Sequence, residues 1–198
     1  VWEELESDPR HALIDLGQHR FAGLEAPEHV VQIAPSALSG RQFPPLRALD
    51  ARRTNLVPDG TNFIGRGAEL ERLHSYYRTG GRVAMICGTG GVGKSRTARH
   101  FGLNANELFP GGVWYCDLSE VKNLEGMIEV LGSVLEIPLH PGADEEAALA
   151  HLGRGLAGKG MSLIILDSMD GVTAAITHML ATWSDTVPTA RFLTTVRE

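Results

Sequence analysis

Cysteine is almost missing from this chain: its 198 residues include only Cys87 and Cys116. Each falls in a short apolar run that reads as a buried strand, so both are expected to be small buried hydrophobes. Neither a disulfide framework nor a thiolate metal site finds the partners it needs. The eight histidines show no pair at ligand spacing, which argues against a histidine metal centre. Long apolar runs are missing as well; none approaches the ~20 residues that cross a bilayer. The opening Val1-Trp2-Glu3-Glu4-Leu5-Glu6 is acidic and lacks the apolar stretch of a secretory leader. A cytoplasmic setting without a membrane partner is expected. Nor is positive charge in excess: the formal net charge is −6 and the basic residues are scattered, so direct nucleic-acid binding is not expected. Arg41, Arg47, Arg52 and Arg53 gather only in a proline-containing stretch that reads as a solvated linker. The chain opens on Val1, and its last residues read as a strand whose functional turn has just begun. It is therefore expected to be a piece of a longer protein, with one domain and part of another.

Against these absences stands one dense motif. Gly88-Thr89-Gly90-Gly91-Val92-Gly93-Lys94-Ser95 matches the phosphate-binding pattern Gly-x4-Gly-Lys-Ser/Thr without a mismatch. An apolar run, Arg82 to Cys87, precedes it and predicts a buried strand; Arg96 to Leu103 follows and predicts a helix. That context suits the chemistry, because backbone N–H groups and a helix N-terminus then converge on a polyanion. Lys94 supplies a cation for β- and γ-phosphates, the Ser95 hydroxyl suits Mg²⁺, and Arg96 completes the candidate cradle.

Three segments follow one another. Residues 1–34 hold two strand-like runs, Ala12 to Leu16 and His29 to Ile33. Residues 35–60 carry Pro35, Pro44, Pro45 and Pro58 and predict an extended linker. From 61 to 198 strands and helices alternate, which predicts an α/β fold around a parallel sheet. Its expected strands are 82–87, 112–118, 161–166 and 191–195. Leu124, Met127, Ile128, Leu131, Val134 and Leu135 fall on one helix face, as do Ala148, Leu149, Leu152 and Leu156. These stripes are core.

Three further places carry chemistry. Leu163-Ile164-Ile165-Leu166 ends in Asp167, so a buried strand delivers a carboxylate to its C-terminal edge, where it holds Mg²⁺ directly or through water. Asp170 reads either as a general base for an attacking water or as a helix N-cap. Thr194, Thr195 and Arg197 follow the last strand. They are placed to sense a γ-phosphate and stabilise charge in transfer, or to lie solvated at a strand end.

Together these residues resemble the signal-transduction ATPases with numerous domains, in the bacterial branch related to NB-ARC proteins. The resemblance rests on Phe63-Ile64-Gly65-Arg66 with Glu69-Leu70, on the loop from Gly88 to Ser95, and on Gly112 to Ser119. It rests also on Leu163 to Asp167 and on Phe192-Leu193-Thr194-Thr195-Val196-Arg197-Glu198. It implies a P-loop NTPase of three αβα layers, incomplete at the C-terminus, with the sensor strand between the loop strand and the Asp167 strand. It implies that Phe63, Ile64 and Arg66 form the adenine pocket and that Arg197 projects near the γ-phosphate. Ser168 stands where the family often has a second acid or an Asn, a departure that points to slow hydrolysis. Residues 14–21 and 23–30 resemble the C-terminal edge of a class III nucleotidyl cyclase domain, and Phe43-Pro44-Pro45-Leu46-Arg47 resembles a linker joining such a domain to an ATPase. The cyclase's metal-binding aspartates are not here, so no cyclase activity is expected.

The expected function is an adenine-nucleotide module, taking ATP or ADP with Mg²⁺, that acts as a slow switch for regulatory domains of the same longer chain and self-associates on activation. A turnover ATPase or kinase, and a scaffold that holds nucleotide for stability alone, are the alternatives.

Overall fold

The computed structural model describes residues 11–19, 28–35, 54–58, 60, 63–140 and 142–197. The chain divides into two compact units, Val1–Arg52 and Arg53–Glu198. In the first, β1 (His11–His19) and β2 (Glu28–Pro35) pair antiparallel, with an irregularity between Asp15 and Gly17. Both expected strand-like runs lie inside these strands. The cyclase-like readings at residues 20–27 and the linker readings at 36–53 fall outside the described residues.

The second unit begins with a segment expected to be linker. Thr54 bridges Val113 in parallel fashion, and Leu56 is buried in the core. The packed unit therefore starts ahead of residue 61, because a leucine and a hydrogen-bonding pair lie among the prolines. Then come α1 (Gly67–Arg78), β3 (Val83–Cys87), α2 (Lys94–Asn104), β4 (Gly112–Asp117), α3 (Leu124–Val134), α4 (Glu145–Lys159), β5 (Ser162–Asp167), α5 (Thr173–Thr186) and β6 (Ala190–Val196). The four strands form one parallel sheet in the order β3-β6-β5-β4. The strand that carries Thr195 thus lies between the loop strand and the strand that ends in Asp167, as expected.

Helices cover both faces. Alternate residues of β5 point opposite ways, so Leu163 and Ile165 join α1 and α2 in one core while Ile164 and Leu166 join α3, α4 and α5 in another. Every residue of β5 is buried, which its unbroken apolar run requires of a strand covered on two faces. Asn123 and Asp144 cap α3 and α4 by accepting from Gly126 N and Ala147 N at 3.0 and 2.7 Å. On the larger core, Trp183 is fully buried and its indole N–H donates to Leu149 O at 3.0 Å. Gly102 lets α2 approach the sheet closely: a Cβ there would lie 2.6 Å from Leu56 Cδ1 and 2.7 Å from Ile165 Cδ1.

The buried-strand expectation for residues 82–87 is corrected. Among the described residues β3 pairs only with β6, so it is an edge; Val83 and Met85 are 40% and 52% exposed, while Ala84 and Ile86 face the core. Cys87 shares the outward face and is exposed. Cys116 is fully buried, and burial pushes its thiol up to about 12. The two thiols should therefore separate in reactivity. Titration of the native protein with a disulfide reagent near neutral pH should modify one thiol per chain, at Cys87, and denaturant should release the second. Two equally fast thiols in the native state would contradict this packing.

Candidate functional site

Parallel strands place all their C-terminal ends on one edge of the sheet, and in this order β3, β6 and β5 deliver theirs side by side. The loop from Gly88 to Gly93 leaves the end of β3 and turns into α2. At Gly93 the backbone is left-handed, with φ 92°, and a Cβ would meet nothing within 4 Å, so the loop presents open space above the first turn of the helix. No side chain caps α2. Its first N–H groups thus remain available to an anion, and the helix dipole favours negative charge there. Lys94 folds over the loop and donates to Gly88 O at 2.7 Å and Thr89 O at 2.9 Å. Thr97, buried beneath, donates to Gly93 O at 2.9 Å and fixes the turn from loop to helix.

A cleft of about 260 Å³ opens at this edge, lined by Gly90, Gly91, Gly93, Lys94, Ser95, Arg96, Ser168, Asp170, Thr195 and Arg197. Residues separated by a hundred positions in sequence thus face one space. Asp167 stands just behind it, 3% exposed. Its two carboxylate oxygens are bracketed by hydroxyls: Tyr115 donates to Oδ2 at 2.5 Å, and Thr195 donates to Oδ1 through a very short bond. Thr195 Oγ1 also accepts from Ser168 N at 2.8 Å, where Ser168 itself is left-handed at φ 60°. Burial, and then the bond to Asp167, push the Tyr115 phenol well above its usual range, so it remains a donor.

Asp170 is not the N-cap of α5. It lies in a single 3-10 turn, Met169–Gly171, and the residue preceding α5 is Val172. Its carboxylate accepts from Arg197 N at 2.8 Å, which ties the end of β6 to the turn after β5 while its side chain lines the cleft. Thr194 is buried and points to the neighbouring strand, 3.5 Å from Ala84 O, so of the two threonines only Thr195 lines the cleft.

The three residues expected to share an adenine pocket are placed apart. Phe63 stacks on His100 of α2, with ring centroids 4.0 Å apart, and lines a small separate cleft with Arg96 and Arg99. Ile64 is 87% exposed. Arg66 alone meets the loop: it donates to Val92 O at 3.0 Å and pairs with Glu69 at 3.0 Å, a contact that lowers the Glu69 pKa. Arg66 and Glu69 line a second cleft of about 470 Å³ with Leu73, Met85, Ile86 and Cys87, which reaches Gly88, Val92 and Lys94. The resemblance implied one pocket for these residues; between Phe63 and α1 the backbone is left-handed at Gly65 (φ 81°) and Arg66 (φ 60°).

Sequence reasoning missed Tyr115 and Asn55. Tyr115 lies on the same face as Asp167 because β4 and β5 pair Tyr115 with Ile165 and Asp117 with Asp167, a register that only the folded sheet reveals. Asn55 pairs with the Tyr115 backbone in both directions: its side-chain amide donates to Tyr115 O, and its side-chain oxygen accepts from Tyr115 N, each at 2.8 Å.

A parallel αβα sheet with this loop, an open helix N-terminus and a carboxylate at the end of β5 defines a P-loop NTPase domain, which binds nucleotide. The sequence pattern of the AAA domain family matches residues 77–197, and the chain belongs to that family. Among curated proteins it is similar to the uncharacterized protein Rv0894 of Mycobacterium tuberculosis, 28% identical over 138 residues that make up 70% of this chain and 34% of the relative. The uncharacterized protein Rv0891c of the same organism is 39% identical over 59 residues, 29% of this chain and 20% of the relative. Among solved structures the fold is similar to Cdc6p of Pyrobaculum aerophilum, with TM-score 0.56 and 16% identity over 72% of this chain and 42% of that one. It is similar also to the ORC2 protein of Aeropyrum pernix, with TM-score 0.55 and 19% identity over 73% of this chain and 43% of that one. The chain therefore spans 34% of the length of the first relative and less than half of these structures.

Replacing Thr195 by Val should test the polar bracket. The change leaves a buried carboxylate with one hydroxyl donor fewer and strips Ser168 N–H of its acceptor, at a cost of about 1–3 kcal/mol. Urea unfolding without nucleotide reads that loss; an unchanged midpoint would mean the bracket is absent in solution.

Proposed function

We propose that the domain is an adenine-nucleotide switch, binding ATP or ADP with Mg²⁺ and hydrolysing slowly, and that it controls other domains of a longer signalling or regulatory protein. One observation carries the reading: loop, helix N-terminus, Ser168, Asp170, Thr195 and Arg197 share a single cleft, so groups that follow three strands face one space in which a terminal phosphate would lie. Such a device needs ATP and ADP to favour different conformations, since a ligand shifts an equilibrium only by its differential affinity. Arg197 is suited to supply that difference, because Asp170 holds its backbone and one charge-assisted contact readily exceeds the ~1.4 kcal/mol of a tenfold bias.

The residues fit the proposed ligands. Lys94 and the N–H groups of the loop would hold the phosphates, and Ser95 with Asp167 would hold Mg²⁺, which supplies charge neutralisation between the phosphates. Arg66, Leu73 and Met85 line the adjoining 470 Å³ cleft, large enough for a nucleoside. Adenine is supported by the likeness to the ORC2 protein, whose structure is described as ADPNP–ADP complexes. Slow hydrolysis is supported by Ser168: a serine in a left-handed turn, with no carboxylate of its own, is a poor base. The ORC1 protein of Aeropyrum pernix, similar in fold at 17% identity, was solved with DNA. The −6 charge of this chain favours a nucleotide rather than a nucleic-acid partner.

Denaturing the freshly purified protein and identifying released nucleotide by chromatography tests the switch. Near-stoichiometric ADP is expected; sustained fast phosphate release in a steady-state assay would replace the switch with a turnover enzyme. Lys94→Ala should abolish the rise in Tm that ATP or ADP produces, because it removes the cation that spans the loop. Retention of that rise would exclude the loop as the binding site.

A further inference from the structure

Asp167 is a buried carboxylate whose orientation is set by two hydroxyls rather than by a cation bonded to it. Its partners come from the strands on either side, Thr195 from β6 and Tyr115 from β4. Each carboxylate oxygen has two lone pairs, so the bracket uses one on each and leaves one on each. A carboxylate fixed in this way keeps its acceptor capacity while losing its freedom to rotate. Tyr115 is itself held at three points. Asn55 binds its backbone N–H and C=O at 2.8 Å each, the Arg99 guanidinium lies 5.3 Å from the centre of its ring, and its hydroxyl meets Asp167. The restraint ends on the carboxylate at the C-terminal end of β5.

We propose that Tyr115 is the positioning residue for Asp167, fixing the carboxylate in the orientation in which it meets Mg²⁺, and that Asn55 holds Tyr115 in place. This inference rests on the nucleotide-and-magnesium reading above. Groups that hydrogen-bond a metal-binding carboxylate typically change metal affinity by about 10–100-fold when removed, because the carboxylate must then be ordered at the moment of binding. A merely structural hydroxyl would act differently: its loss would lower the stability of the metal-free protein and leave the magnesium requirement alone.

The experiment measures ATP binding at equilibrium against free Mg²⁺, and ADP binding in chelator, for the wild type and for Tyr115→Phe, Asn55→Ala, the double variant and Asp167→Asn. Tyr115→Phe keeps the ring under Arg99 and deletes only the hydroxyl. It is expected to need roughly tenfold more Mg²⁺ for half-maximal ATP binding, with ADP binding in chelator unchanged. Asn55→Ala should shift the requirement in the same direction by less, and should add nothing in the Tyr115→Phe background. A folded Tyr115→Phe protein with the wild-type requirement, or a lower one, overturns the proposal. If Tyr115→Phe does not fold, Asn55→Ala decides: an unshifted requirement overturns it as well. A wild type whose ATP binding ignores Mg²⁺, or an Asp167→Asn variant that behaves as wild type, brings down the magnesium reading and this inference with it. Failure at Tyr115 alone leaves that reading standing.

Discussion

The ladder that seats β6 between β3 and β5 sets the geometry of everything chemical in this domain. Parallel pairing puts the ends of three strands on one edge. Thr195 can then touch Asp167, Asp170 can reach Arg197 N, and both lie across a cleft from Lys94. These groups come from three stretches far apart in sequence: Lys94, the pair Asp167 and Asp170, and the pair Thr195 and Arg197. Asp167 is brought there by a strand whose apolar alternation satisfies two cores at once, Leu163 and Ile165 on one side, Ile164 and Leu166 on the other. A register slip of one residue would exchange those faces, so the burial that stabilises the sheet also specifies the site.

Two kinds of polar group sit at this edge and are treated differently. Each oxygen of the Asp167 carboxylate already accepts one hydroxyl. The first turn of α2 has no such partner: Gly93 offers no side chain to cap it, and Lys94 is turned onto loop carbonyls. An uncapped helix start is a standing deficit of acceptors, and a phosphate supplies what a serine or aspartate cap would otherwise provide. At α3 and α4, by contrast, Asn123 and Asp144 close the first turns with their own side chains.

Much of this was legible in the residues alone. The loop motif predicted where the helix begins, the four apolar runs predicted the strands, and Leu166-Asp167 predicted a carboxylate at a strand end. Strand order came from the family resemblance and agrees with the sheet. What stayed hidden depended on neighbours far away. An apolar pentapeptide such as Val83–Cys87 reads as buried whether it becomes a central strand or an edge; only the number of partners decides, and here Met85 faces outward. The family resemblance implied one adenine pocket for Phe63, Ile64 and Arg66, yet Phe63 and Arg66 line different clefts. Tyr115 was invisible as a site residue because nothing short of the β4–β5 register aligns it with Asp167.

Asn55 has a meaning beyond its contact with Tyr115. β4 is the other border of the sheet, and a bare border displays N–H and C=O groups that any extended segment can extend. The amide of Asn55 occupies both such groups of Tyr115, and Thr54 bridges Val113 just before it, so the border is sealed by a few residues rather than by a full strand. A protein trimmed to the apparent start of the motif-bearing region would lose this seal. It would present a sticky margin to its own copies, and strand-to-strand association would then compete with folding at the strand that leads to the carboxylate.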